Sequence, residues 1–111
     1  MIATIAQNMQ IKVAIVDDDE GIRTSLAALI RRASALKLAG DYPDAETALK
    51  EIPRHPPDVV LMDINLPGIK GVECVRQLKS AMPGVQFLML TVYEKLHVHS
   101  RTEAVVKYLR G

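Results

Sequence analysis

The sequence has little from which to build a disulfide-stapled, membrane-spanning or nucleic-acid-coating protein. A single cysteine, Cys74, stands among 111 residues, so no internal disulfide can form, which fits a reducing cytosol. No apolar run approaches membrane-spanning length. Residues 1–10 lack the basic start, long apolar stretch and cleavage pattern of a signal peptide and read as a short, loosely held tail. Charge of either sign is scarce in net terms, with 14 Lys and Arg against 13 Asp and Glu, a formal balance of +1. That gives no global case for nucleic acid or a membrane surface, and only a local patch would serve. No internal repeat and no low-complexity tract interrupts the chain.

What is present is ordinary globular composition, 49% apolar and 24% charged, at a length that supports one hydrophobic core. Ile11 to Val16 is an almost continuous apolar run that ends abruptly in Asp17-Asp18-Asp19-Glu20. So short a run, rich in branched residues, suggests a strand buried on both faces of a parallel sheet. Ile22, Leu26, Leu29 and Ile30 then share one face of a helix. Leu38 to Tyr42 is a weaker strand. Asp44 is placed to cap a helix whose apolar side is Ala45, Ala48, Leu49 and Ile52.

Pro53, Pro56 and Pro57 close that helix and force a loop. Val59-Val60-Leu61-Met62 is the next buried strand, again ending in an aspartate, Asp63. Asn65-Leu66-Pro67-Gly68 is loop chemistry, and Val72, Val75, Leu78 and Met82 are spaced to line a third helix. Pro83-Gly84 ends it before a strand over Val85 to Leu90, which leads to Thr91. Strand and helix alternate, which argues for a parallel sheet covered on both sides. With roughly 20 to 26 residues to each strand-helix unit, the stretch from Ile11 to Glu94 holds about four.

The functional signal lies in the two strands that end in carboxylates. In doubly wound sheets, ligands bind outside the carboxyl ends of the strands, where the strand order reverses. If the first and third strands are neighbours, Asp17, Asp18 and Asp63 meet in that crevice. Three close carboxylates repel one another unless a cation intervenes. Oxygen-only ligands with open positions suit Mg²⁺, which keeps several waters and accepts a phosphate oxygen. A blander role exists for part of the cluster, since aspartates after strands often cap the next helix, and Asp19 or Glu20 would do so.

In combination these segments resemble the receiver domain of two-component response regulators. The stretch Val13 to Asp19 looks like the family's first strand and acidic pair, and Val59 to Gly71 like its phosphoacceptor strand and following loop. Phe87-Leu88-Met89-Leu90-Thr91 is similar to its fourth strand and hydroxyl. The resemblance covers residues 11–94 and implies a flavodoxin-like doubly wound parallel sheet, with strand order 2-1-3-4. It also implies a cytoplasmic signalling protein that is not an enzyme. Carried over, Asp63 would be the phosphoacceptor, taking its phosphoryl group from a sensor histidine kinase. Asp18 would bind Mg²⁺ directly, Asp17 through water, Asn65 through its backbone carbonyl, and Asp63 itself would complete the metal site. Thr91 would be the switch hydroxyl that moves to bond the new phosphoryl oxygen.

The resemblance breaks after Glu94. A complete receiver has a fifth strand, preceded by an aromatic switch residue and ending in a lysine, and neither has a counterpart in the expected place. Residues 95–111 instead resemble the C-terminal helix of a LuxR/NarL-type DNA-binding domain, with Tyr93-Glu94-Lys95-Leu96 similar to the end of its recognition helix. The expectation is therefore an internally deleted response regulator, truncated after the fourth strand and joined near Tyr93-Glu94. Its parent would be a DNA-binding transcription regulator. Ser100 and Glu103 form a capping box, and Ala104, Val105, Tyr108 and Leu109 group on one side of the helix. The alternative makes Val105 to Leu109 a substitute fifth strand with Lys107 as the switch lysine.

Truncation would leave Val85 to Leu90 as an apolar sheet edge. Either the tail helix folds over it or two chains cover it as a homodimer. Arg101, Lys107 and Arg110 are too few for a DNA-binding face without a recognition helix. His97 and His99 read as a solvated turn rather than a metal site, His55 as part of the Pro-rich loop, and Cys74 as packing. Two rival functions remain. One is a signalling-dead remnant that only associates through its edge. The other is a phosphatase with an aspartyl-phosphate intermediate, which would need a second acid two residues after the nucleophile, where Asn65 stands.

Overall fold

Side-chain alternation along short apolar strands decides the layering of this molecule. The structure is a computed structural model, described for residues 10–90. In chain order the elements are β1 (Ile11–Val16), α1 (Glu20–Arg32), β2 (Leu36–Tyr42), α2 (Ala45–Glu51), β3 (Val59–Asp63), α3 (Gly71–Ala81) and β4 (Gln86–Leu90). A single 3-10 turn, Ile52–Arg54, extends α2. All described pairings are parallel, and the sheet runs β2-β1-β3-β4 as expected.

The two helices that follow Asp residues begin where the sequence places their caps. Asp19 accepts from the Ile22 amide at 2.9 Å and opens α1, whose last turn carries Arg31 and Arg32. Asp44 accepts from the Thr47 amide at 2.7 Å and opens α2. Hydrogen bonds from Thr47 hold the Asp44 carboxyl below its ordinary value.

On one face of the sheet, Val13, Ile15, Leu61 and Leu90 pack against Leu26, Ala27 and Ile30 of α1. On the other, Ala14, Val16, Val60 and Met62 pack against Ala45, Ala48 and Ile52, with Cys74 and Leu78 from α3. Odd positions of β1 and β3 thus serve one layer and even positions the other.

Three expectations need correction. β2 starts two residues early, at Leu36, which pairs with Ile11, and a bulge at Ala39 shifts the β1 pairing from Val13↔Leu38 to Ala14↔Gly40. Val72 does not line α3: it is 60% exposed, and Gly71, Cys74 and Leu78 form the buried stripe instead. Those three positions share a helix face, and the small residues at its start let the backbone approach the sheet. Gln10 is not part of a loose tail, since its side-chain amide donates to the Ser34 carbonyl at 3.0 Å. The join near Tyr93-Glu94, the helix or strand expected within residues 95–111, and residues 1–9 lie outside the described residues. Among the described residues no helix is long and apolar enough to cross a membrane.

Leu61 is fully buried at the centre of the α1-facing layer. Leu61→Ala is expected to lower unfolding stability by about 3 kcal/mol, read as a drop in urea midpoint with unchanged slope. Burial pushes the Cys74 thiol up to about 11, with the Glu46 carboxylate adding to the effect. Stability from the neutral thiol is complete below its ordinary value of 9.0 and is lost as pH rises toward 11. At pH 8 a disulfide reagent is therefore expected to titrate Cys74 only in denaturant, and rapid reaction of the folded chain would refute the packing role.

Candidate functional site

β1 and β3 pair in the register Val13↔Val59 through Val16↔Met62. One step further, the same register sets Asp17 opposite Asp63. Both continue the odd parity of their strands, so both emerge on the α1 side at the carboxyl end of the sheet. Asp17 and Asp63 are completely buried, and Asp18, one residue along, is exposed. Carboxylate oxygens of the three lie within 4.8 Å of one another. The cluster expected from the sequence is therefore brought together.

Two matching turns hold the buried pair. Oδ1 of Asp17 accepts from the Asp19 amide at 2.9 Å, and Oδ1 of Asp63 accepts from the Asn65 amide at 2.9 Å. Each strand-ending aspartate thus bonds its own backbone two residues on, which fixes the carboxylate plane and turns the chain out of the sheet. Asn65 therefore meets Asp63 through its N–H. Asp19, which stands beside the cluster in sequence, is the helix cap and not one of the clustered ligands. Thr91, the expected switch hydroxyl, lies outside the described residues. It follows Leu90, which pairs with Asp63 and accepts from the Ile64 amide at 3.2 Å.

The loop after Asp63 is anchored at both ends. Leu66 is buried in the α2/α3 layer, and Gly68 takes a left-handed φ of 75° that permits the turn. Gly71 passes so close behind the site that a Cβ there would collide with the Asp63 carbonyl oxygen. Sequence reading gave Gly71 no role, because its only signal is a missing side chain and the neighbour that requires this is eight positions away. Arg23 was missed for a similar reason. It donates to the Asp17 carbonyl at 2.7 Å and pairs with Asp41 at 3.2 Å, contacts that require knowledge of where β2 ends.

The donor set is all oxygen, clustered and negatively charged, at the strand ends where the order reverses. It fits a hard divalent cation such as Mg²⁺ far better than a soft one. A doubly wound sheet with such an acidic crevice defines a class of binding domains whose ligand sits between the first and third strands.

The chain belongs to the response regulator receiver domain family, whose model matches residues 13–108. It is 36% identical over 85 residues to the response regulator GacA of Pseudomonas aeruginosa, covering 77% of this chain and 40% of that protein. To the response regulator UvrY of Escherichia coli it is 35% identical over 83 residues, covering 75% and 38%. The chain spans less than half the length of these curated relatives. In fold it resembles the response regulator domain of Thermotoga maritima CheB, with TM-score 0.79 and 20% identity over 91% of this chain and 94% of that one.

Helix propensity alone would favour Gly71→Ala by about 1 kcal/mol. The collision with the Asp63 carbonyl predicts the opposite, a loss of about 2 kcal/mol from overpacking. Urea unfolding distinguishes the two signs.

Proposed function

We propose that the chain is a phosphoacceptor in two-component signalling, with Asp63 as the acceptor and a sensor histidine kinase as the donor. The observation that carries this reading is the placing of buried Asp63 opposite Asp17, with Asp18 beside them, at the carboxyl end of the sheet. Asp17, Asp18, Asp63 and the Asn65 carbonyl would hold Mg²⁺. When bound, the ion would offset negative charge on the transferring group. A carboxylate oxygen of Asp63 forms the new P–O bond as the P–N bond of the phosphohistidine breaks. The leaving imidazole keeps the electron pair and takes up a proton. The Asn65 amide on Oδ1 holds the carboxylate in a fixed plane for in-line approach. Thr91 would bond the phosphoryl oxygen afterwards. The chain is consumed stoichiometrically in this step, so it acts as a receiver and not as an enzyme with turnover.

For residues 95–111 we retain the reading of an internally deleted regulator whose last helix derives from a LuxR-type DNA-binding domain. DNA binding is not proposed for this chain. A second reading draws on the family match, which runs to residue 108: Val105 to Leu109 would replace the fifth strand and Lys107 would act as the switch lysine. A further reading, association without signalling, draws on β4. It pairs only with β3 among the described residues, and its Phe87, Leu88 and Met89 are half-exposed. Stable dimers that never accept phosphate would favour it.

Intact mass after incubation with Mg²⁺ and a small phosphodonor tests the main reading. One added phosphoryl group is expected in the wild type and none in Asp63→Ala, while Lys107→Ala separates the two readings of the tail through its effect on the lifetime of the adduct. A folded wild type that gains no mass would overturn phosphoacceptance.

A further inference from the structure

We propose that Arg23 is a positioning residue of the acidic site, orienting the peptide that carries Asp18. The inference rests on the reading of Asp17, Asp18 and Asp63 as a Mg²⁺ site. Both ladders of β1 end at Val16, which pairs with Tyr42 on one side and Met62 on the other. Asp17 is thus the first residue past the sheet. Its N–H still donates to the Tyr42 carbonyl at 3.1 Å, and its carbonyl accepts from a side chain. The guanidinium of Arg23 supplies the partner, with one terminal nitrogen at 2.7 Å.

The Asp17 carbonyl and the Asp18 N–H belong to one planar peptide unit. Fixing that carbonyl fixes the plane, and with it the position of the Asp18 Cα from which the side chain leaves the backbone. Arg23 is itself held. Its Nε pairs with Oδ1 of Asp41 at 3.2 Å, its side chain is only 16% exposed, and its helix begins at the Asp19 cap. The rigid fork of a guanidinium reaches the two oxygens at once, and a lysine ammonium on its flexible stem would not hold the same geometry. The bridge therefore runs from the end of β2, through α1, to the end of β1.

Charge and geometry make opposite demands here, which renders the role testable. A guanidinium beside a cation site repels the cation, so a purely electrostatic Arg23 would weaken Mg²⁺ binding and its removal would strengthen it. A positioning Arg23 predicts the reverse. Groups that orient metal ligands typically contribute 10-fold to 100-fold in affinity.

The experiment is calorimetric titration of the full chain with Mg²⁺, alongside urea unfolding and amide exchange at Asp18 and Asp19. Arg23→Met is expected to weaken Mg²⁺ binding by about tenfold, and to speed exchange at those two amides. Arg23→Lys, which keeps the charge, should lose affinity as well, and it replaces the Met variant if that one fails to fold. Asp41→Asn, which keeps an acceptor oxygen, should show a smaller loss. Unchanged or tighter binding in the folded variants overturns the positioning role while leaving the metal site intact. A wild type that binds no Mg²⁺ overturns the site and the inference together.

Discussion

The register of β1 against β3 is the constraint on which the rest of the site depends. Because side chains alternate with period two, a slip of one residue in either strand would turn its aspartate to the opposite face. Such a slip would carry more than the carboxylates. It would exchange Val13 and Ile15 with Ala14 and Val16 between the α1 layer and the α2/α3 layer. The two layers have different members, with Val13 and Ile15 of β1 facing α1 and Ala14 and Val16 facing α2 and α3. Packing of the core thus enforces a register whose consequence, one residue beyond the β1/β3 ladder, is the meeting of Asp17 and Asp63.

Bringing two buried carboxylates together works against folding unless the backbone supports them. Support here comes from the loops themselves. Each buried aspartate accepts an amide from its own chain two residues on, and each following segment is pinned. Asp19 caps α1 and Arg23 ties the Asp17 carbonyl. After Asp63, Leu66 enters the core and Gly71 brings the start of α3 against the Asp63 backbone. These fixings exchange mobility for a defined geometry, the requirement for holding a cation with few protein ligands.

Much of this was legible in the sequence, for identifiable reasons. The strands that lead into Asp17 and Asp63 announce themselves because they are largely buried on both faces and therefore read as nearly continuous apolar runs. The caps Asp19 and Asp44 are local chemistry, readable from a few neighbouring residues. Strand order and the acidic cluster followed from the alternation of elements together with the family resemblance. Other features were hidden because they depend on distance in the chain. The bulge at Ala39 has no compositional mark. The buried stripe of α3 uses Gly71 and Cys74 rather than Val72, since the closeness of the sheet selects small residues over apolar ones. Arg23 looks like any surface arginine on a helix until Asp41 is placed beside it.

Among the described residues, the backbone that carries the three carboxylates is held by contacts between Ile11 and Leu90. β1 and β3 form the interior pair of the described sheet, with β2 and β4 on either side. β2 contributes the Tyr42 carbonyl and, through Arg23, the Asp41 carboxylate. β4 contributes the Leu90 carbonyl that receives the Ile64 amide. Each carboxylate-bearing strand is therefore also held from the side away from its partner. The metal capture and phosphoryl acceptance proposed for Asp63 and its neighbours would draw on this frame. The proposed switch hydroxyl, Thr91, follows it in the chain. On that reading, capture of the ligand and the report of its arrival would draw on different stretches of the sequence.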